Sequence, residues 1–334
     1  MARDKPESTR LHIVVTCTKR KRHAAPPQLR LGSHNGGSLP ARLESWIGAL
    51  RGAPEEGLVP VGELYAGDHW QRSASLPAVA AEHGTAARLW VCSAGYGLLP
   101  GDSLVQPYSA TFSRGHPDAV WRTGDPLGCA DVLASWWGGL ARWAGPTTGA
   151  PRTLQDLADS DPSAGIWVVT SASYLNAMHA DLRASAQALT RADRLVIISA
   201  GARRVPGLAS HALDFDWRLQ GDDGPLGGAA MSLNVRVAEL LLRGEVGTSV
   251  ADLNGRLRSV ASTVPVRRPK VGMRVSEAEV ERFLREEMRS RPGVRRTPLL
   301  RKLRDDLHWA FEEKRFARLY DQVRMSLPTS EGDR

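Results

Sequence analysis

The chain has 334 residues, 42% of them hydrophobic and 24% charged, with a formal net charge of +8 at pH 7. That length supports two domains, or one large domain with an appendage, around a real core. No run of about eighteen apolar residues is present to cross a membrane, and residues 1–10 lack the apolar core of a signal peptide. The three cysteines, Cys17, Cys92 and Cys129, fit neither a disulfide framework nor a CxxC zinc site, so a reducing cytoplasm is the expected location.

The charge is unevenly placed. Residues 266–334 hold 18 Lys and Arg against 12 Asp and Glu, a net of +6, which leaves +2 for residues 1–265. A basic segment concentrated at one end is the footprint of a nucleic-acid partner, although Arg-rich coding bias produces the same composition.

In chain order, Leu11 to Val15 (LHIVV) reads as a buried strand that opens into Thr16-Cys17-Thr18-Lys19 and three further cations. Thr16, Thr18 and Lys19 suit an anion, or the loop is simply a solvated basic one. Residues 23–40, rich in Pro and Gly, read as a loop, and a helix starts near Ala41. A second helix is expected over residues 69–83. Glu63 and Asp68 precede it, as an acid–base pair or, in Asp68, as a helix cap.

Leu89 to Cys92 is the next strand. Ser93-Ala94-Gly95-Tyr96-Gly97 breaks it with small residues that let a backbone approach a ligand. Asp102, Tyr108, Thr111 and Phe112 follow, so an acid, hydroxyls and rings gather near one strand end. Open α/β sheets bind ligands beyond the carboxyl ends of their strands, which makes this stretch the candidate site.

Asp131 to Trp143 reads as an amphipathic helix whose Trp136-Trp137 pair belongs to core or interface, and residues 144–163 read as a connector. Gly165 to Thr170 and Leu195 to Ser199 are further strands, with a helix over residues 174–189 between them and Arg203 just past the last. Four apolar runs thus end in small-residue loops: VVTCT, WVCSAG, VVTSAS and VIISAG. That repetition predicts an α/β fold with a central, mostly parallel sheet flanked by helices.

Gly227 to Glu245 reads as a glycine-led helix with Asn234 and Arg236 near its start, suited to an anion or to ordinary capping. Residues 246–261 form another helix and residues 262–272 a linker. The expected boundary therefore divides an α/β domain, 1–262, from a small basic helical module, 263–334. In that module Ser276 and Glu279 make a capping box, Pro292-Gly293 ends the first helix, and a second runs from Thr297 to about Val323. Such a pair suits a helix-turn-helix type module with Arg295, Arg296, Arg301, Lys302 and Arg304 on phosphates, or a cap on the main domain.

Three segments carry a family likeness: Thr16-Cys17-Thr18-Lys19-Arg20-Lys21, Glu63-Leu64-Tyr65-Ala66-Gly67, and Ser93-Ala94-Gly95-Tyr96-Gly97-Leu98-Leu99 with Asp102 and Tyr108 downstream. They resemble a group of bacterial YaaA-like domains and the uracil-DNA-glycosylase-like domain of archaeosine-synthesis enzymes. The resemblance covers residues 10–112, and Gly95 stands where relatives often carry Lys. It implies a uracil-DNA-glycosylase-like fold and a DNA glycosylase that removes modified bases from phage DNA. The GQDPY-type and HPS-type motifs of ordinary uracil-DNA glycosylases are missing from the sequence, which argues against simple uracil excision.

On that reading Asp102, Asp68 and Glu63, in that order, are the candidate catalytic carboxylates, since N-glycosidic cleavage develops oxocarbenium charge. Ser93, Tyr96, Tyr108, Thr111 and Phe112 hold the extruded base. Thr16, Thr18, Lys19, Arg203, Asn234, Arg236, Arg295, Arg296, Arg301 and Lys302 hold DNA phosphates. No His/Cys cluster stands at ligand spacing, so no metal or cofactor is expected. The expected partner is double-stranded DNA with modified bases, with no membrane and no obligate protein partner. Two alternatives stand beside this reading: a non-catalytic DNA-binding or regulatory protein, and a transferase acting on free nucleosides or nucleotides.

Overall fold

The computed structural model describes residues 10–34, 36–215, 219–220, 226–244, 249–263 and 272–326. The readings of the N-terminal segment 1–9 and of most of the linker, 264–271, lie outside the described residues. The chain divides into two units, Met1–Pro265 and Val266–Arg334.

The first unit runs β1 (Arg10–Thr16), α1 (Leu39–Arg51), β2 (Val59–Pro60), α2 (Val61–Leu64), α3 (Asp68–Glu82), β3 (Ala86–Ser93), β4 (Gly97–Pro100) and β5 (Leu104–Val105). It continues with α4 (Cys129–Ala141), α5 (Leu154–Ser160), β6 (Gly165–Val169), α6 (Ala172–Ala177), α7 (His179–Ala188), β7 (Leu195–Ile198), α8 (Leu233–Leu242) and α9 (Val250–Thr263). The central sheet has the order β4-β3-β1-β6-β7, with only β4 antiparallel to its neighbour. Leu11, Ile13, Val14 and Val15 of β1 are all buried. Strands apolar on both faces need helices on both faces, and that is the mostly parallel α/β arrangement.

Several elements differ from the sequence reading. The β3–β4 hairpin replaces an expected loop: GLLP is short and ends in proline, so it carries no strand signal, yet it pairs at the sheet edge where Pro100 is tolerated. The connector over residues 144–163 contains α5, started by a capping box between Thr153 and Asp156. The helix over residues 174–189 breaks at Met178 into α6 and α7. Asp68 is the first helical residue of α3 rather than its cap, which is Gly67 at φ 98°.

Sealing the β3–β4 hairpin takes three long side chains. Trp46 of α1 donates its Nε1–H to the Gly95 carbonyl at 2.7 Å, and Trp136 of α4 does the same to Ala94 at 2.8 Å. Arg152, buried before α5, donates to the carbonyls of Tyr96, Leu98 and Trp143. An edge strand would otherwise bury unpaired carbonyls. Burial lowers the Arg152 pKa to about 10.

The second unit runs β8 (Met273–Arg274), α10 (Glu277–Ser290), α11 (Arg296–Asp305), β9 (Trp309–Ala310) and α12 (Glu313–Ser326), and has its own core around Val280, Leu284, Leu299, Leu303, Phe316 and Val323. The Ser276–Glu279 capping box forms as expected. The long helix expected from Thr297 onward does not. It stops at Asp305, His308 takes a left-handed φ of 53°, and the chain restarts as α12. Leu299, Leu303, Phe316 and Val323 enter one core only if the chain reverses between them.

Replacing Arg152 with Ala leaves three buried carbonyls without their donor. Unfolding in urea is expected to show a loss of at least about 3 kcal/mol. Arg152→Lys recovers little of it, since an ammonium cannot reproduce the forked reach of the guanidinium.

Candidate functional site

The sheet order places a topological switch at β1 and β6. After β1 the chain crosses to β3 on one side, and after β6 it crosses to β7 on the other. The loops leaving these two strands diverge and open a crevice at their carboxyl ends, where α/β sheets bind ligands. A cavity of about 490 Å³ lies there, lined among others by Thr16, Cys17, Lys19, His69, Phe112 and Tyr174. Its volume falls in the ~300–1,000 Å³ range of small-molecule sites.

The strand register fixes its floor. Val15 pairs with Val169 and Val169 with Ile198, so the next residues, Thr16, Thr170 and Ser199, stand at one level across three strands. At about 4.8 Å between strands this hydroxyl row spans about 10 Å. All three line the cavity and are over 90% buried. Among the described residues no hydrogen-bond partner occupies the Thr16 or Ser199 hydroxyl. Ser171 and Ser173 extend the hydroxyl lining, and Lys19 supplies a cation at the rim.

One wall is aromatic. Phe112 and Tyr174 meet with ring centroids 4.5 Å apart at 45°. The Tyr174 hydroxyl lies 3.1 Å from Cys17 Sγ, and burial first, then the nearby thiol, pushes its pKa well above the ordinary value. Met231 lines the mouth, with 87% of its surface exposed.

Ser93, Tyr96 and Tyr108 do not face this cavity. None of the three lines it, because their hydroxyls are spent on core hydrogen bonds, so the SAGYG loop is not brought to this cavity as the sequence reading expected. Tyr108 bonds Ser93 Oγ at 2.7 Å and Tyr65 Oη at 2.9 Å, and Ser93 Oγ accepts the Gly95 and Tyr96 N–H groups. A Cβ on Gly95 would stand 2.6 Å from the Tyr108 ring. Glycine here serves contact with the core, not with a ligand.

Asp102 also lies away from the cavity. The hairpin carries it back to Arg88, 3.9 Å away, with its side chain 81% exposed. Arg88 precedes the end of β3 by five residues, about 16 Å along the strand. Glu63 is exposed on α2 and does not line the cavity.

Asp68 does not line the cavity either, but it is the candidate carboxylate whose chain neighbour, His69, does. It accepts the Ser232 hydroxyl at 2.5 Å and Arg72 Nε at 3.1 Å, and these hydrogen bonds, Ser232's foremost, hold its pKa below the usual range. Its neighbours His69, Met231 and Leu233 line the cavity.

The remaining candidates divide. Thr16, Thr18, Lys19, Thr111, Phe112 and Asn234 line the cavity. Thr18 and Asn234 also brace it: Thr18 Oγ1 donates to the Arg20 carbonyl, while Asn234 donates to the Thr170 carbonyl and accepts the Ala200 N–H, tying the ends of β6 and β7. Arg203 pairs with Asp214, and Arg236 is buried and donates to the Ala229 carbonyl, so neither lines it. In the second unit Lys302 pairs with Glu287 at 2.5 Å, whereas Arg295, Arg296 and Arg301 are exposed.

Comparison with protein-family models, with curated proteins and with solved structures gives no match. The geometry therefore carries the functional argument. Among the described residues, no group of three or more His, Cys, Asp or Glu side chains could hold a metal ion.

His69, Cys17, Thr170, Ser199 and Tyr174 were not singled out as site residues in the sequence, although the repeated hydroxyls after each strand marked the place. Met231 had no signal there. Burial lowers the pKa of His69, against the backbone of Thr16 and Met231, and lowers those of His116 and His211 as well. Unfolded imidazoles take up protons first, near pH 6.5, so native stability falls as pH drops through and below that value. Melting temperature is expected to decrease between about pH 7 and 5, and less steeply in His69→Gln.

Proposed function

We propose that the first unit is an N-glycosylase acting on DNA, taking an extruded modified base into the cavity at the β1/β6 switch. The observation that carries this reading is the joining of an aromatic wall, Phe112 and Tyr174, to a row of three strand-end hydroxyls in one cavity. A flipped base is read in this way, by stacking on its face and hydrogen bonds along its edge. Lys19 at the rim suits a flanking phosphate. Met231 suits an apolar wedge that fills the gap left in the duplex.

Cleavage of the bond between base and sugar transfers positive charge to the sugar, and the departing base takes a proton as water adds to the anomeric carbon. Asp68 is the carboxylate this reading retains to stabilise that charge. Ser232 and Arg72 keep it ionised, and His69, held towards its neutral form, suits the handling of the water proton.

The test is incubation of the full chain with DNA from unmodified and heavily base-modified phages, followed by cleavage at abasic sites and mass spectrometry of released bases. Strand breaks confined to modified DNA, with a free base, are the expected result. Asp68→Asn is expected to lower base release by about 10²-fold or more while DNA binding persists, and Asp102→Asn to leave release unchanged. Tight, salt-sensitive binding to both DNAs without breaks would replace this reading with a non-catalytic DNA-binding protein.

A further inference from the structure

The second unit contains a groove of about 740 Å³ between β8–β9, the end of α11 and the start of α12. Three arginines from three different elements converge on it: Arg274 of β8, Arg304 of α11 and Arg315 of α12. Trp309 and Phe311 line it with them, as do Asp305 and Glu312. Arg315 stacks 5.1 Å from the Phe311 ring centroid and is held by Glu277, which also pairs with Arg318. Arg304 reaches the Phe311 carbonyl at 3.4 Å. Arg274 is exposed and has no ion-pair partner among the described residues. Trp309 is half-buried, its ring edge-on to Phe283 at 6.1 Å.

Helix geometry does not require this convergence. Surface arginines usually pair along one helix, as Arg285 does with Glu281 four residues earlier. Here cations meet aromatic rings in a concavity, and Gly272 is needed where the backbones close, since a Cβ would stand 2.7 Å from the Ala310 nitrogen. The basic line continues outward: Arg301 lies three residues before Arg304 on α11, about 5–6 Å away between Cβ atoms.

We propose that this groove binds single-stranded nucleic acid, with phosphates on Arg274, Arg304 and Arg315, a base stacked on Trp309, and Glu312 accepting from an exocyclic amine. Cations that track a backbone, combined with rings that stack bases, are the parts of a single-strand groove. A simple anion site needs no aromatic floor and gains nothing from carboxylates. Paired bases in a duplex expose no face to Trp309. The site belongs to the second unit and holds whether or not the first is catalytic.

The test uses the full chain and fluorescence anisotropy with a labelled oligodeoxycytidine of about 12 nucleotides, a length in the range of single-strand sites. Arg274→Gln and Trp309→Ala are each expected to weaken binding about ten-fold or more. Arg274→Gln also lowers the slope of log K against log salt by about 0.7, the value of one phosphate contact on a single strand, whereas Trp309→Ala leaves the slope unchanged. The variant Arg289→Gln, near the end of α10 and outside the groove lining, keeps at least half the wild-type affinity.

Wild-type affinity in Arg274→Gln overturns the proposal, and because Arg274 is exposed the variant folds and decides the matter even if Trp309→Ala does not fold. Loss confined to Arg289→Gln overturns it too. Base release from modified phage DNA, measured in parallel, keeps the two readings apart. Groove-dependent binding without release sinks the glycosylase alone, and release with unaltered oligonucleotide binding in Arg274→Gln sinks the groove alone.

Discussion

Turning a chain sharply inside a hydrophobic core buries peptide groups, and every one of them needs a partner. The β3–β4 turn faces this demand at Ser93–Gly97. Ser93 Oγ takes two of its N–H groups, Trp46 and Trp136 take two of its carbonyls, and Arg152 takes the carbonyl of Tyr96 and that of Leu98 beyond it. The donors come from α1, α4 and the segment before α5. One turn thus fixes the positions of three distant stretches of chain.

The same turn delivers the site. By reversing the strand it sends Asp102 towards the amino end of the parallel strands and brings the chain back towards the carboxyl edge as residues 106–112. Tyr96 Oη anchors the return at the Gln106 carbonyl, and Ser109 exchanges backbone bonds with Leu29 and Leu31. Asp118 then bonds the Gly32 N–H and the Ser109 hydroxyl, locking both loops. Thr111 and Phe112 arrive at the cavity because these bonds leave the loop little freedom.

Behind the cavity floor lies an unusual polar layer. The Lys21 ammonium sits 4.3 Å from the Tyr108 ring centroid and 5.7 Å from that of Tyr65, a cation–π pair of contacts that repays part of the cost of burying it. Burial still lowers its pKa, against the influence of Cys17 and Asp118. Tyr65, Tyr108 and Ser93 are satisfied by one another, so this layer braces the strand ends without drawing on the hydroxyls of Thr16 and Ser199.

The sequence by itself determined the four parallel strands, most of the helices between them, the capping box at Ser276 and the edge that carries the cavity, because burial on both faces writes continuous apolar runs and strand ends beside a crevice write small polar residues. Thr16, Thr18, Lys19, Thr111 and Phe112 were legible for that reason. Tertiary structure alone decided that Ser93, Tyr96 and Tyr108 turn into the core, that Asp102 leaves the site, and that α11 and α12 are separate helices. A tyrosine or an aspartate carries the same letters in either place. Which one a ligand meets depends on a hairpin reversal and on partners up to some fifty residues away in the chain, such as Trp46 against Gly95, and no local pattern records such a contact.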